Sequence, residues 1–550
     1  MVSNLVKRGI DAFVSRQTNI FTAASFIILT TVLSQFLGVL KYRLLVSLFG
    51  ASSDLGVFLA AFRIPDFIFQ VFIAGALSAS FIPIFADFLN ANKKREAFEF
   101  SSTLINIGVI VFVVVSAVVI VFAQPLASLV APGFSKQELA LMANLMIIIQ
   151  LSQIFFILGT VLTAMLQSFQ HFVIPGIASA FYNFGIIVGL IIFTQFLGLG
   201  IYGATVGVAV GSVLFFLVQL PLAASSGLRF SPTFKINSSI LKLFKLMIPR
   251  SMTLVVSQIA ATANVFFASF ISARSLVVFD LAQTLAMGPV LLIGQSIAQA
   301  SFPAMSLKYE NKKDFLAIFT SSFNQIVYLT LPISALLIVL RIPVVRLFFG
   351  ASRFDWDATV ETGLTLAYFS ISITANALIF LISRAFYAFK DSKTPFYITC
   401  INVVLNILIS YFLILDQHLP IYYLGFSFSL TSISGLVLMM YLLNRKIDLP
   451  KLDIAISFTK IAISSVVMGV ALYVPIKLLD QLVFDTTRTF NLFLLTSIAS
   501  FVGFASYVFF TWLFDIKEAY YVVAVLKQFK NKDKILKQIG EILDRPRTSS

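Results

Sequence analysis

The sequence predicts an all-α polytopic membrane protein with 14 transmembrane helices, arranged as two parallel six-helix lobes plus two C-terminal helices. Composition is the first reason: 59% of the 550 residues are apolar and 11% are charged, whereas soluble domains contain about 45–50% apolar residues. The second is that the apolar residues form runs of the roughly 20 residues that a helix needs to cross a bilayer. The third is a pair of prolines that recurs at a fixed offset.

Fourteen apolar runs are long enough to be spans. They cover residues 20–40, 55–85, 103–128, 139–168, 174–196, 201–223, 246–272, 281–306, 315–341, 359–389, 395–415, 421–443, 456–479 and 490–514. Because the number is even, both termini are expected on the same side of the membrane.

The basic residues are concentrated in alternate loops. Most of the 39 Lys and Arg residues lie in segments such as 93–95, 308–313 and 445–451, and in the tail from Lys517 onward. Short loops rich in Lys and Arg stay in the cytoplasm, so these segments and both termini are predicted to be cytoplasmic. This sorting accounts for the net charge of +15 without a nucleic-acid partner.

The prolines at span ends indicate a duplication. Pro83 and Pro303 end the second and eighth spans, Pro175 and Pro395 open the fifth and eleventh, and the members of each pair are 220 residues apart. The pattern predicts two copies of a six-helix bundle. Because each copy has an even number of spans, both enter the membrane from the same side and are parallel.

The repeat sets the expected domain bounds. An N-terminal lobe covers residues 1–225, a C-terminal lobe covers 226–444, and two extra helices occupy 445–514. The remaining segment, 515–550, is basic with apolar residues at helical spacing. It suits an amphipathic helix on the anionic inner leaflet or a solvated cytoplasmic helix.

Residues for catalysis or metal binding are scarce. The single Cys400 excludes an intramolecular disulfide, and His171 and His418 are too far apart in sequence for a Cys/His metal centre. No phosphate-cradling loop or His beside a nucleophile is present. We therefore predict a protein that is not an enzyme and has no catalytic residues, metal or cofactor. The remaining class of function is transport driven by the membrane potential or by an ion gradient.

Charged residues inside spans are functional candidates because they are costly in lipid. Arg63 and Asp66 stand three apart on one helix face, with Pro65 between them. They either neutralise each other and fix helix packing, or Arg63 lines a central cavity that holds an anion. Lys41 and Arg43 are the next candidates, although both are also placed to snorkel to the outer headgroups.

Uncharged polar residues cluster on the seventh and eighth spans. Gln258, Asn264, Gln283 and Thr284 suggest a hydrated path there. The commoner use of such side chains in membranes is a hydrogen bond between helices.

Several segments together resemble the lipid II flippases (MurJ/MviN), part of the multidrug, oligosaccharidyl-lipid and polysaccharide exporter superfamily. The matching pieces are Ser34 to Gly38, Leu48 to Ala51, Ala61 to Asp66, Gly75 to Ser78 with Phe81 to Pro83, Ala131 to Phe134, Ile174-Pro175, Ser257 to Ile259 with Phe267 to Phe270, and Phe386-Tyr387 with Asp391 to Pro395. The resemblance covers nearly the whole chain.

The resemblance implies a function and a location. Such proteins move a lipid-linked disaccharide pentapeptide across the bacterial plasma membrane by alternating access, and their last two helices form a groove for the polyprenyl tail. Their partners are this cell-wall precursor and membrane lipids, with cell-wall synthesis proteins as further candidates. A cationic cavity suits the diphosphate, since Arg matches phosphate oxygens and Lys acts as a point charge.

The chain departs from the family where cavity arginines are usual. Gln35 stands where the first span normally has Arg, Phe69 and Gln70 replace an Arg pair, and Thr284 replaces the Arg of the eighth span. The resemblance then leaves Lys41, Arg63 and Arg43 to contact the diphosphate, or the substrate differs from lipid II.

Three alternatives remain open at this stage. One is an exporter of another polyprenyl-diphosphate-linked oligosaccharide. Another is a cation-coupled drug exporter, which requires a cavity carboxylate; Asp66 is the only candidate that the sequence indicates. The last is a scaffold for wall synthesis that transports nothing.

Overall fold

The computed structural model describes residues 20–70, 75–228, 231, 233–234, 238–479 and 489–520. Over these ranges all regular elements are helices. They are α1 (Ile20–Phe49), α2 (Ser53–Ala61), α3 (Arg63–Phe69), α4 (Gly75–Asn90), α5 (Lys94–Val121), α6 (Ala123–Val130), α7 (Lys136–Ser168), α8 (Val173–Val188), α9 (Ile201–Leu217), α10 (Leu220–Ser225), α11 (Ser238–Ser269), α12 (Ala273–Pro289), α13 (Ser296–Leu307), α14 (Lys312–Val339), α15 (Arg341–Phe349), α16 (Trp356–Ser370), α17 (Ile373–Ala388), α18 (Lys393–Ser410), α19 (Tyr422–Ile447), α20 (Lys451–Leu479) and α21 (Thr489–Leu513). Three π-helical segments continue α8, α12 and α18, over Gly189–Phe196, Val290–Gln295 and Tyr411–Asp416.

The helices confirm the predicted fold class. Within the described residues, 11 helices are long and apolar enough to cross a membrane, and the pair α16 and α17, bent by 40°, makes a twelfth. The other two predicted spans, 55–85 and 246–272, contain the broken series α2 to α4 and the helix α11. The count of fourteen is consistent with these elements. Most of the predicted tail helix lies outside the described residues.

The first of two compact units comprises residues up to 282 together with 348–365 and 399–427. Its core at α4 and α5 is aromatic: the ring of Phe81 stacks on Phe85 at 5.2 Å and on Phe100 at 5.4 Å between centroids. These rings are fully buried and pack against α7 through Leu162 and Met165. Helix α7 also packs on α2 and α3, and α3 carries Arg63 and Asp66.

The second unit comprises residues 283–347, 366–398 and the chain from 428 onward. In it, α14 packs on α20, and α20 packs along α21. The buried Tyr507 hydroxyl of α21 donates a hydrogen bond of 2.6 Å to the Tyr328 carbonyl of α14. Outward-facing side chains of this helix pair, such as Val466 and Phe501, are apolar and exposed, as expected for a surface that contacts lipid.

The offset of 220 residues recurs in local backbone structure. Gln170 and Lys390 both have a left-handed backbone, with φ of 64° and 58°, and so do Gly198 and His418, with φ of 68° and 51°. Equivalent backbone hydrogen bonds follow the same offset, from His171 to Leu166 and Asp391 to Phe386, and from Leu199 to Phe193 and Leu419 to Leu413. Helix ends and loops of the two copies are therefore built alike, as a duplication requires. The domain bounds inferred from the repeat remain a prediction.

Candidate functional site

A cavity of about 390 Å³ lies within the first unit. Its lining is Lys41, Tyr42, Leu45, Phe58, Leu59, Phe62, Arg63, Asp66, Phe69, Gln70, Gln153, Phe156, Tyr182, Ile186 and Asp280. Aromatic rings form much of the wall, and the charged groups converge on it from α1, α3 and α12. It is a mostly apolar pocket with a few polar groups, the usual character of a ligand site.

Three of the charged residues of the cavity lining, Lys41, Arg63 and Asp280, are linked through direct contacts and through Tyr42. The Arg63 Nη2 atom lies 3.6 Å from Asp280 Oδ1, and the two side chains are only 19% and 14% exposed. The Tyr42 hydroxyl donates a 3.1 Å hydrogen bond to the other carboxylate oxygen, Asp280 Oδ2. The Lys41 Nζ atom lies 4.8 Å from the centroid of the Tyr42 ring. Both oxygens of Asp280 are thus engaged, one by a cation and one by a hydroxyl.

Two polar atoms of the cavity lining have no hydrogen-bond partner among the described residues. They are Arg63 Nε, a donor, and Gln153 Oε1, an acceptor, and both are buried. A buried polar atom without a partner costs about 1–3 kcal/mol. A ligand with anionic oxygen atoms would satisfy the Arg63 donor.

A break in the helix places Arg63 at the cavity. Pro65 has no backbone N–H, so the carbonyl four residues earlier, that of Ala61, receives no helical bond from it. Helix α2 ends at Ala61, and α3 starts at Arg63 with the Asp66 N–H donating to the Phe62 carbonyl at 2.8 Å. Pro65 sits in the first turn of α3, where a missing N–H is tolerated.

A close backbone approach sets the position of Asp280 opposite Arg63. A Cβ atom on Gly56 would lie 1.8 Å from the Ala273 carbonyl oxygen, so only glycine permits this contact. Arg63 and Asp280 each follow the contact by seven residues, or about two helical turns. The same faces of the two chain segments therefore meet again at the ion pair.

The structure brings together three of the predicted site residues. Lys41, Arg63 and Asp66 line the same cavity. The ion-pair partner of Arg63 is Asp280, on another helix, whereas Asp66 was the partner considered from the sequence. Gln35 and Arg43, also on α1, are exposed and are not among the lining residues.

The four predicted polar residues of the seventh and eighth spans are divided between the units. Gln258 is half-buried and Asn264 is buried in the first unit, and neither lines the cavity. Gln283 is half-buried and Thr284 is exposed, and both belong to the second unit. A hydrated path through these residues remains a prediction.

Asp280 is the charged cavity residue that sequence reasoning missed. The predicted eighth span began at residue 281, which left Asp280 in a loop, but α12 begins at Ala273 and carries it inside the helix. The apolar run Leu276 to Phe279 before it was the available signal. The expectation that Asp66 is the only candidate cavity carboxylate is therefore wrong. Within the described residues, no group of three His, Cys, Asp or Glu side chains is placed to hold a metal ion.

The chain resembles known proteins in both sequence and structure. A sequence profile of the family "Lipid II flippase MurJ" matches residues 45–497. The probable lipid II flippase MurJ of Buchnera aphidicola subsp. Acyrthosiphon pisum is 26% identical over 459 residues, which is 82% of this chain and 89% of that protein. The corresponding protein of Thermotoga maritima is 27% identical over 446 residues, 80% of this chain and 88% of its own length.

Two solved structures have a similar fold. A lipid II flippase MurJ in an inward closed conformation matches with a TM-score of 0.75 and 24% identity, over 89% of this chain and 98% of that one. An inward-facing multidrug resistance transporter of the MATE family matches with a TM-score of 0.67 and 14% identity, over 76% and 94% of the two chains. At these identities the likeness establishes the fold alone.

Proposed function

The chain belongs to the lipid II flippase MurJ family, and from that premise we propose that it carries lipid II from the inner to the outer leaflet of a bacterial plasma membrane. It is a transporter rather than an enzyme. The observation that carries the proposal is the cavity that both Lys41 and Arg63 line, together with several aromatic rings. The Arg63 Nε donor there is buried without a partner in the described part of the chain.

The chemistry of the cavity suits a diphosphate. Moving an ionised group through hydrocarbon without a polar escort is prohibitive. Arg63 offers a planar fork of donors for phosphate oxygens, and Lys41 adds a point charge. A cavity of about 390 Å³ suits the diphosphate end of the substrate rather than its whole sugar and peptide headgroup.

We propose that two cations of the lining take the place of the cavity arginines that the family resemblance implies. Phe69 and Gln70, aligned with an Arg pair, do line the cavity, but they contribute a ring and an amide. Arg43 is exposed outside the lining. Lys41 and Arg63 are therefore the proposed cationic contacts of the diphosphate, with Gln70 and Gln153 as neutral polar neighbours.

We propose alternating access as the transport mechanism, with the two predicted lobes, 1–225 and 226–444, as the moving bodies. Solved proteins of similar fold include one in an inward-facing and one in an outward-facing conformation. The paired helices α20 and α21 would receive the polyprenyl tail along their exposed apolar side chains. Both termini are proposed to be cytoplasmic, with the tail 515–550 on the inner leaflet or available to cell-wall synthesis proteins.

Transport of lipid II in reconstituted vesicles tests this function. The wild-type protein should move lipid II between leaflets, and Lys41→Ala combined with Arg63→Ala should reduce transport to the level of empty vesicles. Lys93→Ala combined with Arg95→Ala is the matched control, because it also removes one Lys and one Arg, but from ion pairs on the exposed surface. Full transport by the Lys41 and Arg63 double variant would refute the assigned site.

A drug exporter is the second candidate because two carboxylates, Asp66 and Asp280, line the cavity. That function requires a carboxylate to bind the coupling cation or a cationic drug. Adding lipid II, another polyprenyl-diphosphate-linked oligosaccharide or a cationic drug as competitor in the vesicle assay separates the three substrates. Competition by the drug alone would favour this second function.

A further inference from the structure

Asp280 holds the guanidinium that the proposed function assigns to the substrate. Its Oδ1 atom lies 3.6 Å from Arg63 Nη2, and its Oδ2 atom accepts the hydrogen bond from Tyr42. The neighbouring Lys41 approaches the same Tyr42 ring. A diphosphate that contacts Arg63 and Lys41 would therefore enter at the place where Asp280 now lies.

The contact between Arg63 and Asp280 is incomplete. At 3.6 Å it is longer than the roughly 2.7–2.9 Å of a charge-assisted hydrogen bond, and Arg63 Nε has no partner among the described residues. A diphosphate presents several oxygen atoms to a planar fork and can satisfy donors that this carboxylate leaves free. The substrate thus has better geometry for Arg63 than Asp280 has.

The position of Asp280 is nonetheless fixed by the fold. The contact of Gly56 with Ala273 holds the helix start against α2, two turns before the ion pair. The Tyr42 hydroxyl restrains the carboxylate from the side of α1. The backbone of Asp280 therefore stays within reach of Arg63, so a displaced carboxylate can pair with Arg63 again when a ligand leaves.

We propose that Asp280 is a resident counter-anion that competes with the substrate diphosphate for Arg63. When the cavity is empty, Asp280 compensates a guanidinium whose isolation inside the membrane would be costly. When substrate enters, the diphosphate displaces Asp280 from Arg63, and the return of Asp280 promotes release on the other side. By competing for Arg63, Asp280 lowers the affinity of the cavity for the diphosphate and so allows the substrate to be released. This role rests on the proposed function.

Binding of farnesyl diphosphate to the purified full-length protein tests the competition. Asp280→Asn keeps the shape and removes the charge, so affinity should rise by roughly fivefold, the equivalent of about 1 kcal/mol for a partly exposed ion pair. In an Arg63→Gln background, Asp280→Asn should give no such rise in affinity, because no guanidinium remains for it to release from the carboxylate. Tyr42→Phe, which loosens the other oxygen of Asp280, should raise affinity by a smaller factor.

Asp66→Asn is the matched control, since Asp66 lines the same cavity but is not the ion-pair partner of Arg63. A general effect of removing negative charge would raise affinity equally in both Asn variants and in both backgrounds, and would overturn the proposal. If Arg63→Gln abolishes measurable binding, the comparison of Asp280→Asn with Asp66→Asn decides.

Different results would refute the competition by Asp280 and the assigned diphosphate site. If the wild type binds farnesyl diphosphate and neither Asp280→Asn nor Tyr42→Phe binds it more tightly, the competition is refuted and the transport function stands. If the wild type and both variants are folded, as judged by thermal melting, and none binds the diphosphate, the assigned diphosphate site fails as well.

Discussion

Asp391 shows how a single carboxylate fixes a loop outside the membrane. It accepts hydrogen bonds from the Thr394 N–H at 3.0 Å and the Thr394 hydroxyl at 2.8 Å, at the start of α18. It also pairs with Lys446 at the end of α19. Burial alone would raise its pKa, but the hydrogen bonds from Lys446 and Thr394 outweigh burial and lower the pKa to about 2.

The lowered pKa gives a pH prediction. A carboxyl group whose pKa is depressed by folding stabilises the protein above its unfolded pKa of about 3.9. That stability should be lost as the pH falls from about 4 to about 2. Asp391→Asn keeps an acceptor oxygen for the Thr394 N–H but removes the charge that pairs with Lys446. It should therefore cost about 1 kcal/mol at pH 6, and the variant should show a smaller loss of thermal stability between pH 5 and pH 3. Equal pH dependence of both proteins in detergent melts would contradict this account.

At the residue scale, the sequence indicated two cations that line the cavity, Lys41 and Arg63, but also Arg43, which does not, and it did not indicate Asp280. Arg63 was predictable because a charge inside an apolar run is conspicuous, and Lys41 because it stands directly at the end of the first run. Asp280 was missed because hydropathy marks where a run is apolar and does not mark where its helix begins. Tyr42 and Gln153 resemble many other aromatic and amide residues of the chain, and only tertiary packing brings them to the cavity.

Helices α2 and α12 meet at a point where no side chain fits. Gly56→Ala would place a Cβ atom 1.8 Å from the Ala273 carbonyl oxygen, and a backbone atom cannot rotate away as a side chain can. The helices must separate, which we expect to cost about 1–3 kcal/mol, as overpacking does. The separation should also move Asp280 away from Arg63.

Thermal melting and lipid II transport measure the effect of Gly56→Ala, and both should decrease. Gly288→Ala is the control, because a Cβ atom there meets nothing within 4 Å and the residue lies inside α12. Its stability should be unchanged or slightly higher, since Ala favours helices more than Gly does. Wild-type stability of Gly56→Ala would show that the approach of the two helices does not fix the site.

At the element scale, span positions were predictable and their internal breaks were only partly so. The predicted second span, 55–85, is longer than a bilayer requires, so it must tilt, bend or protrude. The structure shows a break at Phe62, between α2 and α3. The π-helical segments at 189–196 and 411–416 gave no signal. In a π-helix each N–H donates to the carbonyl five residues earlier instead of four. This change does not alter the hydropathy of the segment, so hydropathy cannot reveal it.

At the scale of the whole molecule, the grouping of helices into compact units depends on tertiary contacts as well as on the repeat along the sequence. The repeat at 220 residues was predictable because prolines mark the same helix ends in both copies, and the left-handed residues Gln170 and Lys390 follow the same offset. The compact units do not follow chain order, since 348–365 and 399–427 group with the first. Which helices pack together depends on side-chain complementarity, which periodicity and hydropathy do not encode.

Whether the number of spans is even or odd determines whether the two termini lie on the same side of the membrane, so topology tests the count of fourteen. The single native cysteine makes this simple: in a Cys400→Ser background, one cysteine is introduced at Ser3, Ser352 or Ser549 and reacted with a membrane-impermeant thiol reagent in intact spheroplasts. Ser352 follows α15 in a loop predicted to face outward, so Ser352→Cys should react directly. Ser3→Cys and Ser549→Cys should react only after permeabilisation, because an even number of spans and the basic loops place both termini in the cytoplasm. Reaction of one terminal cysteine in intact spheroplasts, with the other protected, would require an odd number of spans and would exclude two complete six-helix copies followed by two helices.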